Sequence, residues 1–337
     1  MRLTGSAVDV VERAYDLNAS ITDWLEGLRS SAERAFSGQL EAGVIVFRAS
    51  VDGAFSLIHN TARPELFESF KIFHSLAPPE TLRRIYFSGP VSSMCTALRE
   101  PLQDPLYAAT ATPFGFEDVW GSMGVDPSGL GCALTFPTKS RARLDRPTRH
   151  ALERLAAHLA SAVRLRERGA GAETTAMDDA DAVLAPDGSV LHAAHEARGL
   201  EARTALRNAA RRMDRARLKS ERRNNESALG LWRALVDGRW SLVETFESDG
   251  RRVLVARRND PTSRRSQSLT RLERKVVALL AVGHSLKLCA YVLGRAQSTI
   301  HEIAASGMAK LGVRSRAELV ELYGVLVSGD EAETEAP

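Results

Sequence analysis

Residues 269–323 read LTRLERKVVALLAVGHSLKLCAYVLGRAQSTIHEIAASGMAKLGVRSRAELVELY, and this stretch decides the fold of the C-terminal part of the chain. Thr270-Arg271-Leu272-Glu273 has the form of a capping box: the Thr270 hydroxyl accepts the N–H of Glu273, and the Glu273 carboxylate returns to the N–H of Thr270. A helix is expected to follow with Leu272, Val276, Leu279 and Leu280 inward, ended by Gly283 where positive φ is cheap. Ser285 caps a short second helix carrying Leu288, Cys289, Val292 and Leu293. Gly294 makes the turn into a third helix, expected from about Ser298 to Ala309, and Lys310-Leu311-Gly312 stops it. Ser315-Arg316-Ala317-Glu318 is a second capping box, opening a last helix with Leu319, Leu322, Tyr323 and Leu326 on one face. Two short helices around a glycine turn, with one helix before and one after, make a helix-turn-helix in four-helix form.

Within the third helix, Ile300, Ala304, Gly307, Met308 and Leu311 recur at the spacing of a core face, which leaves Ser298, His301, Glu302, Ala305 and Ala309 outside. A face that reads base edges usually carries Arg, Lys, Asn or Gln. This one offers a hydroxyl, an imidazole and a carboxylate, and Glu302 suits a cytosine amino group.

In order and spacing, Leu269-Thr270, Glu273, Val276, Leu280-Ala281, Gly283, Ser285, Lys287, Ala290, Leu293, Thr299-Ile300, Lys310-Leu311-Gly312-Val313 and Arg314-Ser315-Arg316 resemble the LuxR-type helix-turn-helix of bacterial transcription regulators. The resemblance implies a module that sets its third helix in the DNA major groove, with Lys287, Ser298, Thr299, His301, Glu302 and Lys310 as the residues that contact DNA. The chain departs from the family pattern at several places. Leu272 stands where the family has Arg, and Leu286-Lys287-Leu288-Cys289 where it has Asn-Lys-Glu-Ile. In the third helix, His301 replaces Lys or Arg, Ile303 replaces His, and Ala304 and Gly307 replace large apolar residues. Lys287 remains as a cation within reach of a phosphate. Gly307 should cost the helix about 1 kcal/mol relative to Ala. These departures motivate an alternative: a regulatory protein-interaction module whose degenerate helix-turn-helix no longer reads DNA bases.

The 337 residues carry 45 Lys and Arg against 42 Asp and Glu, and the net charge of +3 is unevenly spread. Residues 1–180 sum to −3, 201–265 to +8 and 266–327 to +4, and Asp330, Glu331, Glu333 and Glu335 form an acidic end. That asymmetry points to an anionic partner or to differently charged modules. Arg211, Arg212, Arg215, Arg217, Lys219, Arg222 and Arg223 suit phosphate, although Asp214 and Glu221 among them favour a solvated helix face. Arg257, Arg258, Arg264 and Arg265 fall in an expected linker, 257–268, placed to track a phosphate backbone beside the helix-turn-helix. Cys95, Cys132 and Cys289 have neither disulfide-framework nor zinc spacing, so a reducing, cytoplasmic setting is expected, with no metal and no cofactor. No apolar run approaches the roughly 20 residues of a membrane span. GxSxG, GxGxxG and GxxxxGK[ST] are all missing from the sequence, so no enzyme is expected.

Ahead of this lies a multidomain α/β arrangement. A helix over 6–36, a hairpin over 43–58 around Asp52-Gly53, Pro-punctuated helix and loop to Gly121, a strand at 131–137 and a helix at 146–168 make an N-terminal α/β sensor domain, 1–168. After a linker at 169–180, a hairpin around Pro186-Asp187-Gly188, an Arg-rich helix, a helix at 229–236 and a hairpin around Asp249-Gly250 make a small α+β connector, 181–258, ahead of the helix-turn-helix at 266–327. So small a module is expected to pack on a neighbour. The element order of 1–168 is similar to GAF-type sensor domains, and more loosely to the autoinducer-binding domains joined to LuxR-type modules; the connector weakly resembles PAS domains. The resemblance implies a signal, a small molecule or a protein, with a small molecule lying between sheet and crossing helices. Phe87, Met94, Tyr107, Phe114, Phe116, Trp120 and Met123 suit such a pocket or the core. Val10, Leu17, Trp24 and Leu28, and Leu152, Leu155, Leu159 and Val163, make two stripes that suit a core or a homodimer seam.

Overall fold

The strand expected at 131–137 runs from Leu130 to Thr138 and is the middle of a five-stranded antiparallel sheet in the computed structural model of the protein. The structure describes residues 1–49, 54–87, 90–98, 100–125, 129–141, 143–169, 180–222, 224–232, 235–236, 240–246, 251–258, 269–281, 285–311, 313, 315–316 and 318–319. Asp52-Gly53, most of the first linker, Asp249-Gly250, Gly283, Gly312, Leu322, Tyr323, Leu326 and the acidic end lie outside them. Residues 1–236 and 241–258 form one compact unit, and 259–337 with 237–240 the other.

Leu130–Thr138 pairs on one side with Gly43–Ala49, itself paired with Phe55–Asn60, and on the other with Asp118–Val125, itself paired with Val91–Ser93. Asp118–Val125, a strand, begins inside the stretch expected as Pro-punctuated helix and loop to Gly121 and runs on beyond it; Gly121 and Gly124 interrupt its alternation. Gly124 has a packing reason: a Cβ there would stand 2.4 Å from the Ala156 carbonyl oxygen and 2.6 Å from the Ala160 nitrogen. Glycine lets the helix Arg146–Gly169 lie against the strand, where Ser122 Oγ donates to the Leu152 carbonyl at 2.7 Å. Leu152, Leu155, Leu159 and Val163 are buried in this layer.

The single helix expected over 6–36 is two, Ala7–Ala14 and Ile21–Ala35. Ser20 starts the second by accepting the Asp23 N–H at 3.1 Å, and Trp24 Nε1 donates back to the Ala14 carbonyl at 2.9 Å. The apolar period carries across this corner, which is why it reads as one helix. Val10, Trp24 and Leu28 are buried within the chain, as a core face requires, while Leu17 is partly exposed. On the opposite face of the sheet, Pro64–Leu76, Pro79–Phe87, Met94–Ala97 and Pro105–Thr110 pack over Ile45, Phe47, Met123 and Ala133.

A second five-stranded sheet has the order Leu235–Val236, Trp240–Phe246, Arg252–Arg258, Ala182–Leu184, Val190–Ala193. Gly188 takes φ +87° in the expected turn. The Arg-rich helix is Leu200–Ala216; the helix expected at 229–236 is Asn225–Leu231, after which the chain enters a strand. Ser161 and Ser241 share a hydrogen bond of 2.7 Å, Asn225 Nδ2 donates to the Gly5 carbonyl at 2.6 Å, and its Oδ1 accepts the Ala7 N–H at 2.8 Å. The connector thus packs on the first α/β layer, within the same unit.

The C-terminal unit holds Arg271–Ala281, Leu286–Leu293 and Gln297–Leu311 around Val276, Val277, Cys289, Ile300, Ala304 and Leu311, with Gly294 at φ +60° in the turn. Among the described residues no helix is long and apolar enough to cross a membrane. Gly307 is where the first and third of these helices meet: a Cβ there would stand 2.7 Å from Val277 Cγ2. Helix propensity alone would make Gly307→Ala stabilising by about 1 kcal/mol. Crowding against a β-branched side chain costs about 1–3 kcal/mol, so a net loss is expected. Amide exchange of 273–280 and 300–311 in the full chain should be faster in Gly307→Ala; unchanged or slower exchange would contradict the packing argument.

Candidate nucleic-acid interface and ligand cavity

The third helix presents what its sequence period requires. Ile300 and Leu311 are at most 1% exposed, while Ser298, Thr299, His301 and Glu302 lie on the exposed surface. The helix begins at Gln297, one residue before the expected start, and so adds an exposed amide. Gln297 fell outside the expected helix, although its amide suits adenine. Arg295, exposed between the Gly294 turn and this helix, is a second omission. Lys287 is exposed on the second helix, whose cap Ser285 accepts the Leu288 N–H at 3.2 Å. Leu288, expected as part of that helix's apolar set, is 42% exposed, and Tyr291 is 85% exposed.

Between the first sheet and its crossing helices lies a partly open cavity of about 100 Å³. Of the residues expected to form a pocket, Met94, Phe116 and Met123 line it. Trp120 shares the face of Ser122, toward the long helix, and Tyr107 and Phe114 belong to the neighbouring core; the Phe87 side chain lies outside the described residues. Phe67, Phe70 and His74 on Pro64–Leu76, with Tyr86, also line it and were not singled out, though the three- and four-residue steps of the first three were the available signal. His74 Nδ1 donates to the Phe70 carbonyl at 2.8 Å, and Nε2 accepts the Tyr86 hydroxyl at 2.6 Å, which assigns the tautomer. Burial brings His74 down to about 4 and pushes Tyr86 up, so both stay neutral at physiological pH. The His74 ring lies 3.9 Å from Phe70 and 4.3 Å from Phe55, centroid to centroid.

Residues 267–323 match the family described as bacterial regulatory proteins, luxR family. They form a LuxR-family domain. Escherichia coli SdiA aligns with 91% of this chain and 98% of its own, at 10% identity and a TM-score of 0.26. A structure of SdiA in complex with octanoyl-rac-glycerol aligns at 10% identity over 91% and 96% of the two chains, with a TM-score of 0.24. At these scores neither alignment carries an argument about fold or ligand. Comparison with curated proteins finds no significant match.

The basic run ahead of the LuxR-family domain is largely engaged within its own unit. Arg215 pairs with Glu221 at 2.9 Å and Arg222 with Asp9 at 2.5 Å and Glu12 at 2.7 Å. Arg217 pairs with Glu12 and Glu244 and lies 5.1 Å over the Trp232 ring. Arg211 Nε donates to the Asp187 carbonyl at 2.8 Å. Acids two hundred positions away in sequence supply much of the neutralisation. Arg257 and Arg258 end a strand of the second sheet instead of opening a linker, with Arg258 paired to Glu196 at 3.1 Å; Arg264 and Arg265 lie outside the described residues. Among the described residues no group of three or more His, Cys, Asp or Glu is placed to hold a metal.

Inside the LuxR-family domain the capping box forms as expected: Thr270 N donates to Glu273 Oε2 at 2.7 Å, and Thr270 Oγ1 accepts the Glu273 N–H at 3.2 Å. The same carboxylate takes Lys310 Nζ at 2.6 and 2.7 Å and Ser306 Oγ at 2.6 Å. Lys310, expected at the DNA, is therefore tied to a carboxylate that is 6% exposed, and its place is to join the first and third helices. Burial raises the Glu273 carboxyl, but Lys310, Ser306 and Thr270 outweigh it and hold the group below its ordinary value. A depressed carboxyl stabilises the fold fully above pH 4.5 and loses that contribution as pH falls through its lower folded value. Glu273→Gln should thus lower the melting temperature at pH 7, and its gap from the wild type should narrow in acid. A gap independent of pH would contradict the ionic role.

Proposed function

We propose that the protein is a DNA-binding transcriptional regulator in which a signal held by the N-terminal α/β region controls the LuxR-family domain. The observation that carries this reading is the exposed polar turn Gln297, Ser298, Thr299, His301 and Glu302 on a helix whose opposite face is buried. In the major groove, Gln297 and His301 reach base edges, Ser298 and Thr299 donate hydroxyls at the helix start, and Glu302 accepts from cytosine. Lys287 and Arg295 neutralise phosphates, and Lys310 holds the reading helix in place through Glu273.

The cavity between sheet and crossing helices supports a GAF-like sensor over 1–168, with a PAS-like connector over 181–258 and the DNA-binding module over 266–327. We place the protein in the cytoplasm as a homodimer on a two-fold DNA site, with no catalytic activity. Control demands that the ligand bind one form better than the other, about 1.4 kcal/mol for each tenfold change in DNA affinity.

The test is titration of the full chain with DNA it selects from a random pool, at two salt concentrations. Binding should weaken as salt rises, and Lys287→Ala should weaken it across all sequences and lower the log–log salt slope by about 1. His301→Ala should relax the selected sequence, by roughly 1–3 kcal/mol of discrimination. Absence of salt-dependent binding would sink the proposal and favour protein docking on the exposed Leu288 and Tyr291.

A further inference from the structure

The cavity wall is apolar except for Glu41, Ser69, His74, Tyr86, Ser92, Thr110 and Thr135. All but the last are partnered within the protein. Ser69 Oγ donates to the Thr110 carbonyl at 2.7 Å, Thr110 Oγ1 to Leu106 at 2.6 Å and Ser92 Oγ to Ile85 at 3.1 Å. Tyr86 donates to His74, and His74 to Phe70. Glu41 accepts the Arg63 N–H at 3.2 Å and pairs with the Arg63 guanidinium.

Thr135 differs: its hydroxyl has no hydrogen-bond partner among the described residues. It faces Gly43, where a Cβ would stand 2.6 Å from Oγ1, so glycine keeps the space beside the hydroxyl open. Thr135 is thus the wall's one uncommitted side-chain donor, while the committed hydroxyls retain only lone pairs.

Charge and size narrow the occupant further. Among the described residues no cationic side chain lines the cavity, since His74 is neutral and Arg63 is spent on Glu41. An anion would lose its hydration there without gaining a cation, and the single neutral hydroxyl of Thr135 does not offset that loss. The cavity's volume of about 100 Å³ is below the roughly 150 Å³ of an engineered cavity that takes benzene. That space suits a single ring, admitted by adjustment of the flexible Met94 and Met123. Phe70, Tyr86 and Phe116 offer faces and edges to such a ring.

We infer that the cavity binds a neutral single-ring aromatic carrying one hydroxyl, a phenol, whose hydroxyl pairs with Thr135 between Gly43 and the aromatic wall. The inference rests on the reading of this cavity as the sensor site.

The experiment measures binding of phenol, toluene and benzoate to the full chain at pH 7 by calorimetry, and then the effect of phenol on binding to the selected DNA. Phenol should bind up to roughly tenfold tighter than toluene, the net worth of one hydrogen bond, and benzoate should not bind. Thr135→Val should bring phenol to the toluene level and leave toluene unchanged, and Thr135→Ser should restore the difference. Benzoate binding as well as phenol, toluene matching phenol on the wild type, or phenol indifferent to Thr135→Val would each overturn the phenol assignment and leave the sensor reading standing. Phenol binding that leaves DNA affinity unchanged would overturn the sensor reading alone. No binding by any of the three would overturn both.

Discussion

The contact of the first and third helices of the C-terminal unit is the constraint on which its surface depends. Gly307 brings the third helix against Val277, and at the same crossing the buried Glu273 carboxylate gathers Thr270, Ser306 and Lys310. One carboxylate caps its own helix and anchors another. A buried charge of this kind is stable only when fully partnered, and three donor atoms supply that through four hydrogen bonds. With the helix held at that crossing and rolled onto Ile300, Ala304 and Leu311, the residues left outside are determined by geometry, and they are the ones proposed to contact DNA.

A comparable role falls to one strand in the α/β unit. Asp118–Val125 sends Ser122 and Gly124 to the long helix and Val119 and Met123 to the cavity. The strand separates a tightly packed layer, in which even a methyl group at Gly124 has no room, from a looser one that leaves space among aromatic rings. The close side supports the sheet, and the open side is free to take a ligand without disturbing it. In the basic run that follows the Arg-rich helix, Arg217 and Arg222 pair with Glu12 and Asp9 of the first helix, so their charge serves cohesion.

Much of the helix-turn-helix was legible because its signals are local. Capping boxes span four residues, glycine turns one, and the period of Ile300, Ala304 and Leu311 separates inside from outside before any tertiary contact is known. The α/β unit was legible in its hairpins and its long helix. Asp118–Val125 was not, because its Gly124 answers to a helix more than thirty residues on. The break at Ser20 was masked by an apolar period that runs through it. In the cavity, Met94, Phe116 and Met123 were anticipated from residue type, whereas His74 and Tyr86 became visible only as a pair brought together from two helices.

By itself, the sequence determined the helix-turn-helix, its resemblance to LuxR-type domains and the polar face of the third helix, since capping and periodicity act within a few residues. Only the tertiary structure decided that Lys310 serves Glu273, that Arg217 and Arg222 serve the first helix, and that Thr135 keeps an unspent hydroxyl in an apolar cavity. Each of these turns on which group lies within hydrogen-bond reach of which, and that distance is set by packing between segments far apart in the chain.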